Sequence, residues 1–226
     1  MGLQLESVIP WGRNLEEYTR MFDLTTADFN GSILDCAAGP ASFNAEMTHQ
    51  GYSVVSSDPI YQFSVAEIEQ RIQATYDIVI SGVRKNLQSY VWQQTQSPEQ
   101  LGQVRMAAMR KFLQDFSQGL VEQRYSVTAL PQLPFAPQQF DLALCGHFLF
   151  TYSEHLSEVF HVQSVLELCR VAREVRIFPT LTLSGQPSPF LAIVMQELIA
   201  QGYTPELKTV PYEFQKGGNQ MLSINC

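Results

Sequence analysis

Apolar runs bounded by turn signals divide the chain into alternating strands and helices. Residues 33–36 (ILDC) form a short apolar run introduced by Asn30-Gly31, which predicts a strand. The small-residue turn 37–42 (AAGPAS) leads into a helix predicted over 43–50, with Gly51 as its stop. Residues 52–56 (YSVVS) return as a strand, and Asp58-Pro59 closes it, because proline cannot donate to the ladder. Strand, helix and strand in so short a span make a βαβ unit with parallel strands.

The same alternation resumes further along. A strand is predicted over 125–130, followed by the proline-rich connection 131–137 (PQLPFAP). Residues 140–145 (FDLALC) are apolar without alternation, as expected of a strand covered on both faces. Apolar residues at helical spacing mark 155–170, a strand follows over 173–178 up to Pro179, and a helix over 190–201 ends at Gly202-Tyr203. Residues 207–210 and 221–224 form a last strand pair, with a tight hairpin turn expected at Gly217-Gly218-Asn219. The basic and glycine content of that turn is also that of an anion site. The pattern predicts an α/β fold: a Rossmann-like, doubly wound, mostly parallel sheet with an antiparallel last strand.

One stretch departs from simple alternation. The segment between Asp58 and Tyr125 is too long for an ordinary crossover and largely helical in pattern. Leu101, Val104, Ala108, Phe112 and Phe116 define one face of a strong helix within it. The expectation is a single domain over 1–226 with a helical cap inserted at 76–119; a lengthened crossover packed on the sheet is the alternative. A helix over 15–24, carrying Tyr18, Met21 and Phe22, precedes the fold and could close over a bound cofactor or simply pack on the sheet edge.

Composition narrows the function. With 45% hydrophobic and 16% charged residues, the chain has the material for a large core. Its net charge of −8 argues against a phosphate backbone as partner, so no nucleic acid is expected. No uncharged apolar run approaches the roughly 18–20 residues of a membrane span, and the start lacks the pattern of a secretory signal. A cytoplasmic protein with no membrane partner is expected, and an acidic, apolar-rich chain of this size could form a homodimer. Cys36, Cys145, Cys169 and Cys226 show no metal-ligand spacing, so no metal is expected.

In an open α/β sheet, ligands bind beyond the carboxyl ends of the strands. The small side chains at Ala37, Ala38 and Gly39 would let a ligand approach the main chain. Asp58 could accept hydrogen bonds from the two adjacent hydroxyls of a ribose, and Pro59 and Ile60 offer a flat apolar surface beside it. Asp35 could hold a cationic amine through direct or water-bridged contacts. An amine, a carboxylate, a diol and an aromatic base together describe S-adenosylmethionine.

The stretches ILDCAAGPASF, YSVVSSDPIY and LPFAPQQFDLALCGHFLF resemble the first two motifs and the fourth-strand segment of the class I S-adenosylmethionine-dependent methyltransferases, in the small-molecule branch labelled methyltransferase type 11. The resemblance spans about 33–178. It implies S-adenosylmethionine as cofactor, a small-molecule acceptor as substrate, and Asp58 as the ribose acid. The glycine-rich loop of that family maps onto Ala37, Gly39 and Ala41, so two usual glycines are alanines here. Adenine contacts fall at Ala129 and Leu130, where an acid common in the family is absent. Cys145 and Gly146 complete the cofactor-facing set. His147, just beyond the fourth strand, is the candidate general base, with a structural histidine as the plainer role. His155 and His161 are expected to be structural; Arg84, Tyr90 and Trp92 could shape an acceptor pocket. Two other readings share these residues: a protein that binds S-adenosylmethionine without turnover, and a nicotinamide-dependent oxidoreductase, whose G-x-G-x-x-G fingerprint is replaced here by A-x-G-x-A-S.

Overall fold

The computed structural model describes residues 8–226. Its strands are β1 (Ile33–Cys36), β2 (Val54–Ser57), β3 (Tyr125–Ser126), β4 (Phe140–Gly146), β5 (Ala172–Phe178), β6 (Thr204–Thr209) and β7 (Gln220–Asn225). They form one seven-stranded sheet in the order β3-β2-β1-β4-β5-β7-β6. Only β7 runs against the rest, pairing antiparallel with both β5 and β6. The doubly wound sheet with a reversed last strand is therefore present.

Alternate residues of the central strands feed opposite layers, as the period of a strand requires. Leu34, Ala143, Cys145, Val175 and Ile177 point to one side, where α6 (Glu158–Val171) and α7 (Leu191–Ala200) contribute Val165, Leu168, Val194 and Leu198. Ile33, Leu142 and Leu144 point to the other, against Tyr18, Met21 and Phe22 of the chain around α1 (Leu15–Met21) and Phe43 and Met47 of α3 (Phe43–His49). Local chemistry starts these helices where the chain turns. Asn14 and Glu17 close a capping box on α1, and the hydroxyl of Ser157 accepts from the amide of Phe160 at the start of α6.

The long segment after β2 resolves into α4 (Val65–Lys85) and α5 (Pro98–Val121). A Ser64–Glu67 capping box begins α4, while Ser97 caps α5 with Pro98 at its first position, where the missing N–H costs nothing. α5 lies against α3 and β3, as a crossover helix does, and α4 packs on α5. Ile68 and Ile72 of α4 meet Met109, Phe112 and Phe116 of α5 around Tyr61 and Tyr125. Residues 76–119, the stretch read as a cap, comprise the second half of α4 and most of α5.

Two connections differ from expectation. Only Tyr125–Ser126 pairs with β2; residues beyond Ser126 leave the sheet and lie across its carboxyl edge, turning back through an Ala129–Gln132 bridge. The tight hairpin at Gly217-Gly218-Asn219 is absent. β6 ends at Thr209 and β7 begins at Gln220, and residues 210–219 make a long excursion that buries Val210 and Tyr212 against the sheet. Those apolar side chains, rather than the glycines, set the length of the loop. No helix of the described residues is long and apolar enough to cross a membrane.

Candidate active site

β1 and β4 are neighbours, with Cys36 opposite Cys145. The chain leaves β1 toward β2 on one side and leaves β4 toward β5 on the other, so a crevice opens between them at the carboxyl edge. A cavity of about 510 Å³ occupies this crevice. That volume lies within the ~300–1,000 Å³ typical of small-molecule sites. Ala37, Ala38, Gly39, Asp58, Pro59, Ile60, Ala129, Leu130, Gly146 and His147 all line it. Residues far apart in the chain thus converge on one wall.

The first half of the cavity is built from the turn after β1. Ala37 and Gly39 both have positive φ, 54° and 55°. Glycine takes that conformation freely, but alanine does so at a cost of about 1–2 kcal/mol, so Ala37 is strained. The amide of Gly39 donates to Asp58 Oδ2 at 2.9 Å, and that of Ile60 donates to Asp58 Oδ1 at 2.8 Å. Tyr61 donates its hydroxyl to the Gly39 carbonyl at 2.8 Å. These bonds bind the β1 and β2 turns into one surface. Gly12 crosses behind the turn so closely that a Cβ there would overlap the Pro40 carbonyl. Burial raises the pKa of Asp58, and its two amide donors only partly offset this. A carboxylate with spare lone pairs and no cation beside it favours hydroxyl donors from a ligand.

His147 lines the same cavity. This residue also has positive φ, 53°, and its amide donates to the Phe178 carbonyl at 2.6 Å. Its ring meets Phe178 edge-on at 5.4 Å, and its Nδ1 is buried without a hydrogen-bond partner. Burial, and then the positive charges of Arg13 and Arg105, hold its pKa well below the ordinary histidine value. The imidazole is therefore neutral and has a lone pair to offer.

Arg13 and Arg105 line the same chamber. Arg105, 1% exposed, forms an ion pair with Glu17 and donates to the Tyr212 hydroxyl at 3.3 Å, while Tyr212 donates to Glu17 Oε1 at 3.0 Å. Burial works against both charges, but each partner more than restores the other: Glu17 is held below the usual carboxylate range and Arg105 above its own. Arg13 donates to the Trp11 carbonyl at 3.1 Å. Its pKa is lowered, first by burial and then by Arg105. Apolar walls come from Val79, Val83, Tyr90, Leu101 and Phe214. Tyr90 and Phe214 stack at 4.7 Å, and Val91 and Lys216 exchange backbone bonds with Phe214 and Ser89. The α4–α5 connection and the β6–β7 loop together roof the chamber.

Not every expected residue reaches the cavity. Asp35 and Cys145 do not line it, and both are fully buried. The Tyr18 hydroxyl covers Asp35, donating to Oδ1 at 3.1 Å, and Ser56 donates to Oδ2 at 3.4 Å. Asp35 is thus a buried acid behind Tyr18, and the role of directly holding an amine is corrected on that ground. Burial raises its pKa to about 8. Cys145 points into the α6 and α7 layer. Tyr18 and Met21 line the cavity and Phe22 lies beneath Gly146. Tyr90 lines the chamber, whereas Arg84 pairs with Glu99 on the surface. His161 is buried, with its ring nitrogens on the carbonyls of Ser157 and Leu149. Gly218 lines the cavity and Lys216 is exposed. Among the described residues no three His, Cys, Asp or Glu come together to hold a metal ion.

Sequence reasoning missed Arg13, Arg105, Tyr212 and Phe214. Arg105 carried a signal: it interrupts the apolar stripe of α5 between Leu101 and Ala108, and a cation on a buried face needs a partner. The other three had none, since only the fold brings them to this chamber.

No family model matches the chain. It is 35% identical over 225 residues to the uncharacterized protein MJ0045 of Methanocaldococcus jannaschii, and the match covers 98% of each chain. Among solved structures it is similar to magnesium protoporphyrin IX methyltransferase from Synechocystis PCC 6803 with bound SAM, at 12% identity over 87% of this chain and 70% of that one, with a TM-score of 0.44. It is also similar to a SAM-dependent methyltransferase from Aquifex aeolicus, at 13% identity over 92% and 90% of the two chains, with a TM-score of 0.42. These likenesses are loose. The sheet itself is the doubly wound, mostly parallel one with a reversed last strand that the sequence predicts.

Proposed function

The chain belongs to the family of the uncharacterized protein MJ0045, and we propose that it is an S-adenosylmethionine-dependent methyltransferase acting on a small-molecule acceptor. One observation carries this reading: a buried carboxylate, Asp58, bonded to the amides of Gly39 and Ile60, opens on a cavity of about 510 Å³ that His147 also lines. The first half suits a nucleoside. Asp58 would receive the ribose hydroxyls, and Pro59, Ile60, Ala129 and Leu130 would enclose the base.

When bound, the cofactor supplies a methyl group on a positively charged sulfur with a neutral leaving group, so the chain's task is mainly orientation and exclusion of water. The Ala37–Gly39 turn, held in its strained form by Asp58 and Tyr61, would fix the near end of the cavity. Neutral His147 would take a proton from an acceptor that must lose one. The roof formed by Tyr90 and Phe214 would keep the chamber dry.

Isothermal titration with S-adenosylmethionine and, separately, NADH tests the reading. Micromolar binding of the first and none of the second is expected. NADH binding alone would replace the reading with an oxidoreductase, and binding of neither would end it.

A further inference from the structure

We propose that the chain pairs with a second copy of itself along β6, the edge strand of the sheet, in an antiparallel register centred on Leu207. The proposal concerns assembly and is independent of the methyltransferase reading. β6 stands at the end of the strand order and is bonded to β7 alone. Peptide groups of such a strand alternate between its neighbour and the outside. The amide of Val210 donates to the Asn219 carbonyl at 2.9 Å, so in the same period Lys208, Glu206 and Thr204 face β7. Pro205, Leu207 and Thr209 therefore turn their peptide groups outward. Among the described residues no loop backbone answers the outward amides of Leu207 and Thr209. Open donors and acceptors in a row are a template for another strand. The opposite edge, β3, is only two residues long and offers no comparable row.

The side chains of β6 say which strand fits. A two-fold axis at Leu207 sets Glu206 opposite Lys208 of the second copy, and Lys208 opposite its Glu206. Both side chains share one face, since they lie across from Ser223 and Met221, and they approach each other at 3.7 Å within the chain. The charges would alternate in sign around the axis. Sliding the register by two residues, the step that keeps outward peptide groups facing one another, sets Glu206 against Glu206 or Lys208 against Lys208. Like charges directly opposite destabilise a sheet, so charge selects one register. The Leu207 peptides would bond each other, and each Thr209 amide would donate to the Pro205 carbonyl across the axis. Pro205 thus serves as an acceptor, and its missing N–H removes only a flanking bond. On the other face Leu207, 38% exposed, meets its own copy. α7 packs on β6 from that face, and its exposed Ile193 and Ile199 flank the buried Val194–Leu198 stripe, so one of them faces the second α7.

Sedimentation equilibrium from about 5 to about 300 μM protein reads the association, at about 0.15 M salt to screen the net charge of −8. A reversible dimer with a micromolar dissociation constant is expected, the scale of a small interface. Lys208→Glu is expected to weaken it about tenfold or more, because both cross-axis pairs turn repulsive. Combining Glu206→Lys with Lys208→Glu restores the alternation and is expected to restore the dimer. Leu207→Pro, which removes an outward amide and no bond to β7, is expected to weaken the dimer as Lys208→Glu does. Thermal melting followed by circular dichroism verifies that each variant keeps the fold. A protein that stays monomeric throughout the range would overturn the proposal. So would a dimer that Lys208→Glu leaves intact, or one that the double exchange fails to restore.

Discussion

Replacing Asp35 by asparagine should stabilise the protein at neutral and alkaline pH. Asp35 is 0% exposed and its pKa is raised from 3.8 to about 8, chiefly by burial, with the Tyr18 and Ser56 hydrogen bonds only partly opposing this. In the unfolded chain the same group ionises near its ordinary value. Below about pH 4 both states hold the proton and the group is neutral in its effect. As pH rises from there toward about 8, the unfolded chain releases its proton while the folded one retains it, and stability falls. Above about pH 8 the loss is complete. Each step of one in pKa is worth about 1.4 kcal/mol, so the full loss is on the order of 3–5 kcal/mol after allowance for relaxation around a buried charge. Asparagine has the same shape, keeps an oxygen for the Tyr18 hydroxyl and carries no charge. Urea unfolding of both proteins from about pH 4 to about pH 9 gives the difference directly, and titrations elsewhere in the chain cancel in it. The two should agree at the acid end, and the variant should be more stable by several kcal/mol at the alkaline end. Parallel curves would refute the reasoning, because they would mean that Asp35 ionises in the folded state as it does in water.

Three further outcomes follow from the site. Asp58→Asn should weaken S-adenosylhomocysteine binding by about 100-fold in calorimetry, the equivalent of losing two charge-assisted hydrogen bonds at about 1.5 kcal/mol each, and should also lower the melting temperature, because its NH2 cannot accept from the Gly39 or Ile60 amide as the carboxylate does; a threefold effect on binding would remove Asp58 from the ribose role. Ala37→Gly should raise stability by up to about 1 kcal/mol in denaturant unfolding, since glycine relieves the positive φ of 54° and surrenders part of the gain to unfolded-chain entropy. A clear loss would show that the alanine methyl packs favourably there. The His147 ring, assigned by comparison with His147→Gln, should show no protonation in an NMR titration at about pH 6, where an unperturbed histidine of pKa 6.5 is mostly charged. A midpoint near 6.5 would mean that water reaches it and that Arg13 and Arg105 are screened.

How much of this was legible in the chain depends on how local the cause is. The alternation of apolar strands with amphipathic helices, the turn after Cys36 and the acid at Asp58 are written in adjacent residues, and ten of the twelve expected site positions lie on one cavity. They do so because strand ends in a parallel sheet must share an edge. The side on which a buried residue points was not legible. Asp35 and Cys145 sit on strands as expected, yet the strand period and the Tyr18 hydroxyl keep them out of the cavity. Nor was the rest of the cavity wall. Arg13, Arg105 and Tyr212 come from the start of the chain, the middle of α5 and the loop before β7, and no spacing relates them. Their meeting is decided by packing, which seats α5 against α3 and draws residues 210–219 over the sheet by burying Val210 and Tyr212. Hydrophobic periodicity and turn chemistry act within a few residues, so the chain alone declares its fold and the turns that line the carboxyl edge of the sheet. Charge pairing and cavity shape act between elements remote in sequence, so only the folded structure brings Arg13, Arg105 and the imidazole of His147 onto one cavity, with Glu17 paired to Arg105 behind its wall.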